Sequence, residues 1–401
     1  MRKQIAIPLL IFVLIVTATI GIIVFGKGYR FNFGTNGTPA VQGTGLLVAT
    51  SAPDGAQVFI NDHLTTATDN TINLTPGEYK VKIYKEGYFP WEKKIIVKKE
   101  VVSKADALLL PSAPKLESIT NVGVANPVLD PTGTKIAYTV ASQSAAKNGI
   151  YVLDMTLRPI ITFQNASTQI ASNNISSFSN SFFMWSPDSK QLLVNTSELN
   201  STSYLLSANS LNTSPQDVTE TLSLVKTSWE KLKEEKQKAF MDSLNKKLKP
   251  VVATYFNVLQ WSDDETKILY TASVSANLPI IKNPPLIGVN STPEQRGIQK
   301  ASIYVYDVKE DRNYKILDLL PALEADSRTP IMFSPDSKHL IYVHNGKIDV
   351  MEYDGANQTT VYAGPFVDHY VFPWPDATKV VILTNLGNLS LTPNLYTISL
   401  K

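Results

Sequence analysis

Residues 5–25 are an almost uninterrupted apolar run without a single charge. Twenty-one residues of helix at ~1.5 Å each would extend roughly 31 Å, matching the ~30 Å hydrocarbon core of a bilayer. The run predicts an uncleaved transmembrane anchor within residues 1–30. It is longer than the apolar core of a signal peptide and ends in Ile-Val-Phe-Gly-Lys rather than a small-residue cleavage site. Arg2 and Lys3 favour an inside amino terminus, and Lys27 and Arg30 dilute that bias. Tyr29, Phe31 and Phe33 suit the headgroup layer. Residues 31–45, with Gly, Thr and Asn and no apolar period from 34 onward, read as a flexible tether.

From residue 46 to 110 the pattern becomes short and alternating. Residues 57–60, 79–83 and 94–98 predict strands, with Tyr79, Val81 and Ile83 on one face and lysines on the other. Pro53-Asp54-Gly55, Thr75-Pro76-Gly77 and Glu86-Gly87 supply turns. The expectation is a small antiparallel sandwich. Eight lysines and eight acidic residues cancel between 45 and 110, so the lysines read as a solvated face that discourages edge pairing. Tyr84, Tyr88, Phe89 and Trp91 form an aromatic group that is either core or a contact surface. Ser51-Ala52-Pro53-Asp54-Gly55-Ala56 with Val58, then Leu74-Thr75-Pro76-Gly77-Glu78-Tyr79-Lys80-Val81, then Lys85-Glu86-Gly87-Tyr88 resemble the PEGA domain family. The resemblance implies an extracytoplasmic β-sandwich module and leaves its ligand open.

From about residue 115 a unit recurs: an aromatic or aliphatic residue, a Ser-Pro-Asp-like turn, a lysine, and a β run. It occurs around Asp130-Pro131-Thr132-Gly133, Ser186-Pro187-Asp188-Ser189, Ser262-Asp263-Asp264-Glu265, Ser334-Pro335-Asp336-Ser337 and Trp374-Pro375-Asp376-Ala377. Proline fits the second position of a type I turn, and Asp or Ser accepts backbone hydrogen bonds there, so each unit predicts a hairpin. Strand-rich repeats of some 40 residues or more point to a propeller or similar array. The copies resemble the TolB-like, WD-like propeller repeat family over residues 115–401. The five visible copies point to five blades, with six as the alternative, and to a ring closed by residues 116–122 completing the blade begun by the final strands. The fold class is mainly β.

One insertion, at about 217–249, breaks the β pattern. Val218, Leu222, Val225, Trp229, Leu232, Phe240, Leu244 and Leu248 recur at helical spacing. Asp217-Val218-Thr219-Glu220 reads as a capping-box variant, and Pro250 as the helix stop. Packing on the propeller rim competes with docking a partner, with Trp229 and Phe240 as the candidate contacts. Residues 277–296, rich in Pro and Asn, read as a long loop.

Composition narrows the chemistry. Net charge is +2, which gives no footing for nucleic-acid binding. There is no cysteine, so disulfides, thiolate catalysis and Cys-based zinc sites are excluded. The four histidines, His63, His339, His344 and His369, form no metal-binding spacing. His339, in a variable slot after the turn, reads as an exposed strand residue. No nucleophile elbow or calcium loop occurs, and turn geometry accounts for Asp188, Asp264, Asp336 and Asp376. No catalytic, cofactor-binding or metal residues are expected.

The resulting expectation is a single-pass cell-membrane protein whose bulk is extracytoplasmic, anchored through residues 5–25. It would bind or scaffold an envelope protein or cell-wall polymer through the propeller, without cofactor. An accessory or sensor subunit of a membrane complex is the alternative, and a propeller-based hydrolase or lyase a third reading.

Overall fold

The structure is a computed structural model describing residues 2–26, 29–33, 39–156, 167–196, 201–318, 330–367 and 369–401. Lys27 and residues 34–38 of the expected tether fall outside the described residues. A first helix, α1, spans Arg2–Gly26, and the side chains described on it, residues 10–23, are exposed. Among the described residues no helix is long and apolar enough to cross a membrane. Where residues 31–45 read as a flexible tether the chain instead pairs, with Tyr29–Phe33 antiparallel to Pro39–Gly43. The chain divides into two compact units: Met1–Leu110 with Lys282–Pro293, and Pro111–Ile281 with Glu294–Lys401.

The first unit is a two-sheet sandwich. One sheet orders Asn70–Leu74, Gly45–Ala52 and Val102–Leu108; the other orders His63–Ala67, Gln57–Ile60, Gly77–Tyr84 and Trp91–Val97. The inward-facing residues Leu47, Ala49, Val58, Val81, Ile83, Trp91, Ile95, Ala105 and Ala107 form a single core. The alternation of the lysine-bearing strands accounts for this directly, since Val81 and Ile83 are buried while their lysine neighbours stay accessible. One pairing departs from the all-antiparallel expectation: Gly45–Ala52 and Val102–Leu108 run parallel. The first and last strands of the unit are far enough apart in sequence for the crossover that parallel pairing needs. The 282–293 segment belongs to this unit, where the Ser291 hydroxyl accepts the Ile96 N–H at 3.0 Å.

Among the described residues, the second unit holds five four-stranded antiparallel sheets. Sheet one is Ala125–Leu129, Lys135–Val140, Gly149–Asp154 and Ser167–Ser172. Sheet two is Phe182–Trp185, Gln191–Asn195, Ser203–Ser207 and Gln216–Asp217. Sheet three is Phe256–Trp261, Lys267–Ala272, Ile303–Asp307 and Arg312–Leu317. Sheet four is Ile331–Phe333, His339–His344, Lys347–Glu352 and Thr359–Ala363. Sheet five is Val371–Pro373, Lys379–Thr384 and Asn394–Ser399, completed by Leu116–Ser118 from the start of the unit. The last sheet therefore needs both ends of the unit, and Lys379 pairs with Glu117 across that junction at 3.4 Å.

Each sheet begins with the same hairpin. The first turn residue donates its N–H to the sixth residue's carbonyl, and the fourth donates to the first; Ser186 to Gln191 and Ser189 to Ser186 are one instance. The fourth residue is left-handed in all five: φ is 70° at Gly133, 60° at Ser189, 58° at Glu265, 58° at Ser337 and 56° at Ala377. Pro131, Pro187, Pro335 and Pro375 occupy the second position, where φ near −65° is required. The third-position carboxylates tie the loop down. Asp188 accepts the Ser186 hydroxyl, Asp264 the Ser262 hydroxyl and Thr266 N–H, Asp336 the Lys338 N–H, and Asp376 the Thr378 N–H.

Alternate residues of each sheet then pack in opposite directions. In sheet one, Ile136 and Tyr138 join a cluster with Phe372, Val381 and Leu395 of sheet five, while Ala137 joins Trp185, Leu192 and Val194 of sheet two. Leu269, Ile303 and Val305 of sheet three join Phe333, Leu340 and Met351 of sheet four. Sheets two and three break the series. The face of sheet two that carries Leu193 packs on Val218 and Trp229, and the face of sheet three that carries Ile268, Tyr270 and Tyr304 packs on Leu244, Leu248, Val251 and Val252. Two helices, α2 (Leu222–Ser243) and α3 (Lys249–Tyr255), supply Trp229, Val251 and Val252 to that packing, and the link between them supplies Leu244 and Leu248.

Candidate functional site

Helix α2 forms for ordinary reasons but is seated only at its ends. Leu222, Val225 and Trp229 recur at i, i+3 and i+7 and pack against Leu193 and Leu205 of sheet two. Three turns later Phe240 stacks on Trp261 of sheet three, ring centroids 5.2 Å apart and 12° from parallel. Between these anchors the apolar stripe lapses. Residues 230–238 carry three Glu and four Lys, and their side chains are exposed. Asp217 does not cap the helix; its carboxylate accepts the Thr219 N–H and hydroxyl, closing a turn three residues early. Pro250 does not end α2 either. It occupies the first turn of α3, where a proline's missing N–H costs nothing.

The unseated middle of α2 leaves a groove of about 470 Å³. Lys233, Lys236, Gln237, Phe240 and Met241 form its helical wall, positions i, i+3, i+4, i+7 and i+8 of one face. Val258, Leu259, Gln260 and Trp261 form the floor. The floor strand carries a bulge: its pairing skips from Val258 to Gln260, and bulges re-aim the side chains around them. The Gln260 side-chain carbonyl accepts the Phe333 N–H of sheet four at 2.8 Å, fixing the floor to the neighbouring sheet. The site is thus held by rigid strands on one side and a helix anchored at both ends on the other. It offers aromatic and aliphatic surface under two ammonium groups.

Lys236 of its wall also interacts with a carboxylate, Asp263. Burial, then the like charges of Asp264 and Asp336, push the Asp263 carboxyl above its ordinary value against the opposing pull of Lys236. Lys267 approaches Asp264 at 3.7 Å and lies 4.8 Å from the centre of the Tyr353 ring.

The aromatic residues singled out by sequence separate into different environments. Trp91 is 4% exposed and lies in the sandwich core, with Tyr88 packed against it from the edge. Tyr84 and Phe89 are 36% and 37% exposed. Trp229 is 8% exposed and seats α2, whereas Phe240 lines the groove. Trp261 and Val258 were not singled out; both sit in a strand whose aromatic-then-turn signature reads as purely structural.

The histidines are engaged in local structure. His344 Nε2 lies 2.9 Å from Asp349, whose carboxylate also accepts from Gln358 and Thr360. His339 is buried rather than exposed, with Nδ1 2.7 Å from Asp336 Oδ2; it occupies the sixth turn position, where the strand re-enters the core. Burial opposes ionisation of Asp336, but the His339 ring and the Lys338 and His339 N–H groups outweigh it and hold the carboxyl at about 2, below the ordinary 3.8. The ionised form therefore stabilises the fold above pH ~4, and that contribution is lost as pH falls through about 4 towards 2. Asp336→Asn is expected to cost about 2 kcal/mol at pH 7 and to flatten the acid limb of a stability–pH curve. An unchanged acid limb would show that the pairing contributes nothing.

Residues 44–112 match the PEGA domain family. Among solved structures the chain is similar to TolB from Acinetobacter baumannii, at 15% identity over 80% of this chain and 60% of that one, with a TM-score of 0.22. It is similar to a TolB from Agrobacterium tumefaciens at 13% identity over 69% of this chain and 72% of that one, with a TM-score of 0.22. It is also similar to Pyrococcus horikoshii acylaminoacyl peptidase at 9% identity over 69% of this chain, with a TM-score of 0.20. The chain spans 60% of the length of the Acinetobacter TolB and 39% of the peptidase. No curated protein matches it. At these identities and TM-scores none of the solved structures lends the chain an activity.

Proposed function

We propose that the chain is a membrane-anchored, extracytoplasmic binding or scaffolding protein of the cell envelope. The apolar residues 5–25 hold it, the PEGA-type module spaces it, and a five-bladed propeller built from sheets one to five presents the α2 groove to a partner. The groove carries this reading. A preformed concavity with an apolar floor and polar rim, mounted on strands, is how small binding sites are built. Helix α2, which forms one wall of it, lies outside the sheets' own meander. The PEGA match supports the envelope setting, and the completion of sheet five by Leu116–Ser118 supports the ring.

The test is made in intact cells with a photo-crosslinking residue at Gln237 and an epitope tag after Lys401. The expected result is a discrete crosslinked adduct from position 237, absent when the same residue replaces the exposed Lys147, and loss of the tag to external protease. No adduct at 237 would remove the groove from the reading. A tag protected until the membrane is broken would remove the extracytoplasmic placement.

A further inference from the structure

We propose that the α2 groove takes an acidic peptide segment bearing one bulky apolar side chain. This rests on the binding reading above and names the class of partner. The size of the groove, about 470 Å³, lies towards the lower end of ligand pockets. It suits one or two inserted side chains rather than a whole helix.

The apolar lining of floor and wall decides against a purely charged ligand. Val258, Trp261, Phe240 and Met241 present apolar surface, and a ligand without apolar groups would leave that surface in water. Each buried CH₂ contributes about 0.8 kcal/mol, and the Met241 thioether adapts to irregular shapes. An aromatic or leucine-like side chain satisfies this floor.

The rim decides the sign of the partner's charge. Lys233 and Lys236 stand one turn apart on the groove face, with roughly 5–6 Å between their Cβ atoms. Neither makes an ion pair among the described residues, whereas Lys231, outside the groove, pairs with Glu235 at 4.0 Å. Glu230, Glu234 and Glu235 do not line the groove. Lys236 feels the Asp263 carboxylate, yet both lysines remain exposed to an incoming carboxylate. Two carboxylates flanking the apolar side chain would meet both lysines.

The test uses the full chain in detergent and a fluorescein-labelled peptide of two aspartates, a tryptophan and two aspartates. Comparators carry lysines for the aspartates or serine for the tryptophan. Binding is read by fluorescence polarisation at low salt. The expected result is that only the acidic tryptophan peptide binds measurably. The double variant Lys233→Glu, Lys236→Glu should weaken it about tenfold, as two exposed charge contacts allow, and raising the salt should act in the same direction. The substituted side chains are solvent-exposed, and an unchanged thermal transition confirms that the variant is folded. Equal binding by the double variant, or by the lysine peptide, overturns the proposal. Equal binding by the serine peptide also overturns it, in favour of a polyanion. A crosslink from Gln237 together with no binding of the acidic peptide rejects the partner class and leaves the groove as a binding site. Absence of both rejects the two readings together.

Discussion

Replacing Trp229 by alanine is expected to destabilise the second unit by about 3–5 kcal/mol, the usual range for truncating a buried tryptophan. The side chain is 8% exposed and packs against Leu193 and Val218. It is the last apolar residue of α2 before the charged middle, so nothing further along the helix replaces its hold on sheet two. Without it Leu193 loses its cover, and the groove loses the anchor at one end of its helical wall. Four of the five tryptophans lie in the second unit, so three remain as fluorescence reporters in the variant. Urea unfolding should show an earlier transition in those reporters. The far-ultraviolet signal of the first unit, whose core includes Trp91, should be retained. Leu232→Ala, one turn away but 46% exposed, is the control and should move stability by less than about 0.5 kcal/mol. A Trp229→Ala variant as stable as the control would mean that α2 does not depend on its seat against sheet two. The acidic-peptide site should weaken in Trp229→Ala and not in Leu232→Ala.

What could be read in the chain before its structure follows a physical line. Alternation along residues 79–83 and the repeated turns are local signals, because each strand's inward face and each hairpin is written within a few residues. Val81 and Ile83 face inward as the alternation predicts, and a hairpin forms at each of the five repeated turns. Long-range partners leave no such mark. Nothing near Gly45–Ala52 announces that its neighbour is Val102–Leu108 running parallel. The helical spacing of Leu222, Val225 and Trp229 gives α2 a buried face, but not the identity of the sheet it covers. The groove was least legible, since it arises where two legible features fail together. The apolar stripe of α2 lapses at Lys233 and Lys236, and the pairing of the strand beneath skips a residue at Leu259. His339 shows the converse error: a polar residue in a variable position reads as exposed, yet a single carboxylate partner, Asp336, lets the core accept it.

Gly149→Ala should be at least as damaging as the loss of Trp229, for a reason confined to backbone. Gly149 begins the third strand of sheet one, paired with Val140 on one side and Ser172 on the other. Its φ is +141°, and a Cβ there would lie 2.0 Å from the Ala171 carbonyl oxygen and 2.9 Å from the Ala171 carbonyl carbon. Neither atom is the end of a flexible side chain. Ala171 is fully buried in the cluster joining sheets one and two, with Ile150 and Ile170 beside it, and the pairing with the fourth strand already shifts register at this point. Relief therefore requires the third and fourth strands to part, which exposes the same residues that join sheet one to sheet two. The positive φ alone costs an alanine about 1 kcal/mol, and the clash brings the expected loss to about 3 kcal/mol or more. Gly133→Ala separates the two contributions. Gly133 has φ +70° with nothing within 4 Å of its Cβ position, so it should lose only the conformational part, about 1 kcal/mol. Urea midpoints of the two variants should differ accordingly, Gly149→Ala by far the lower. Equal midpoints would mean that the Ala171 carbonyl yields freely and that the edge of sheet one is soft where its core packing requires it to be fixed.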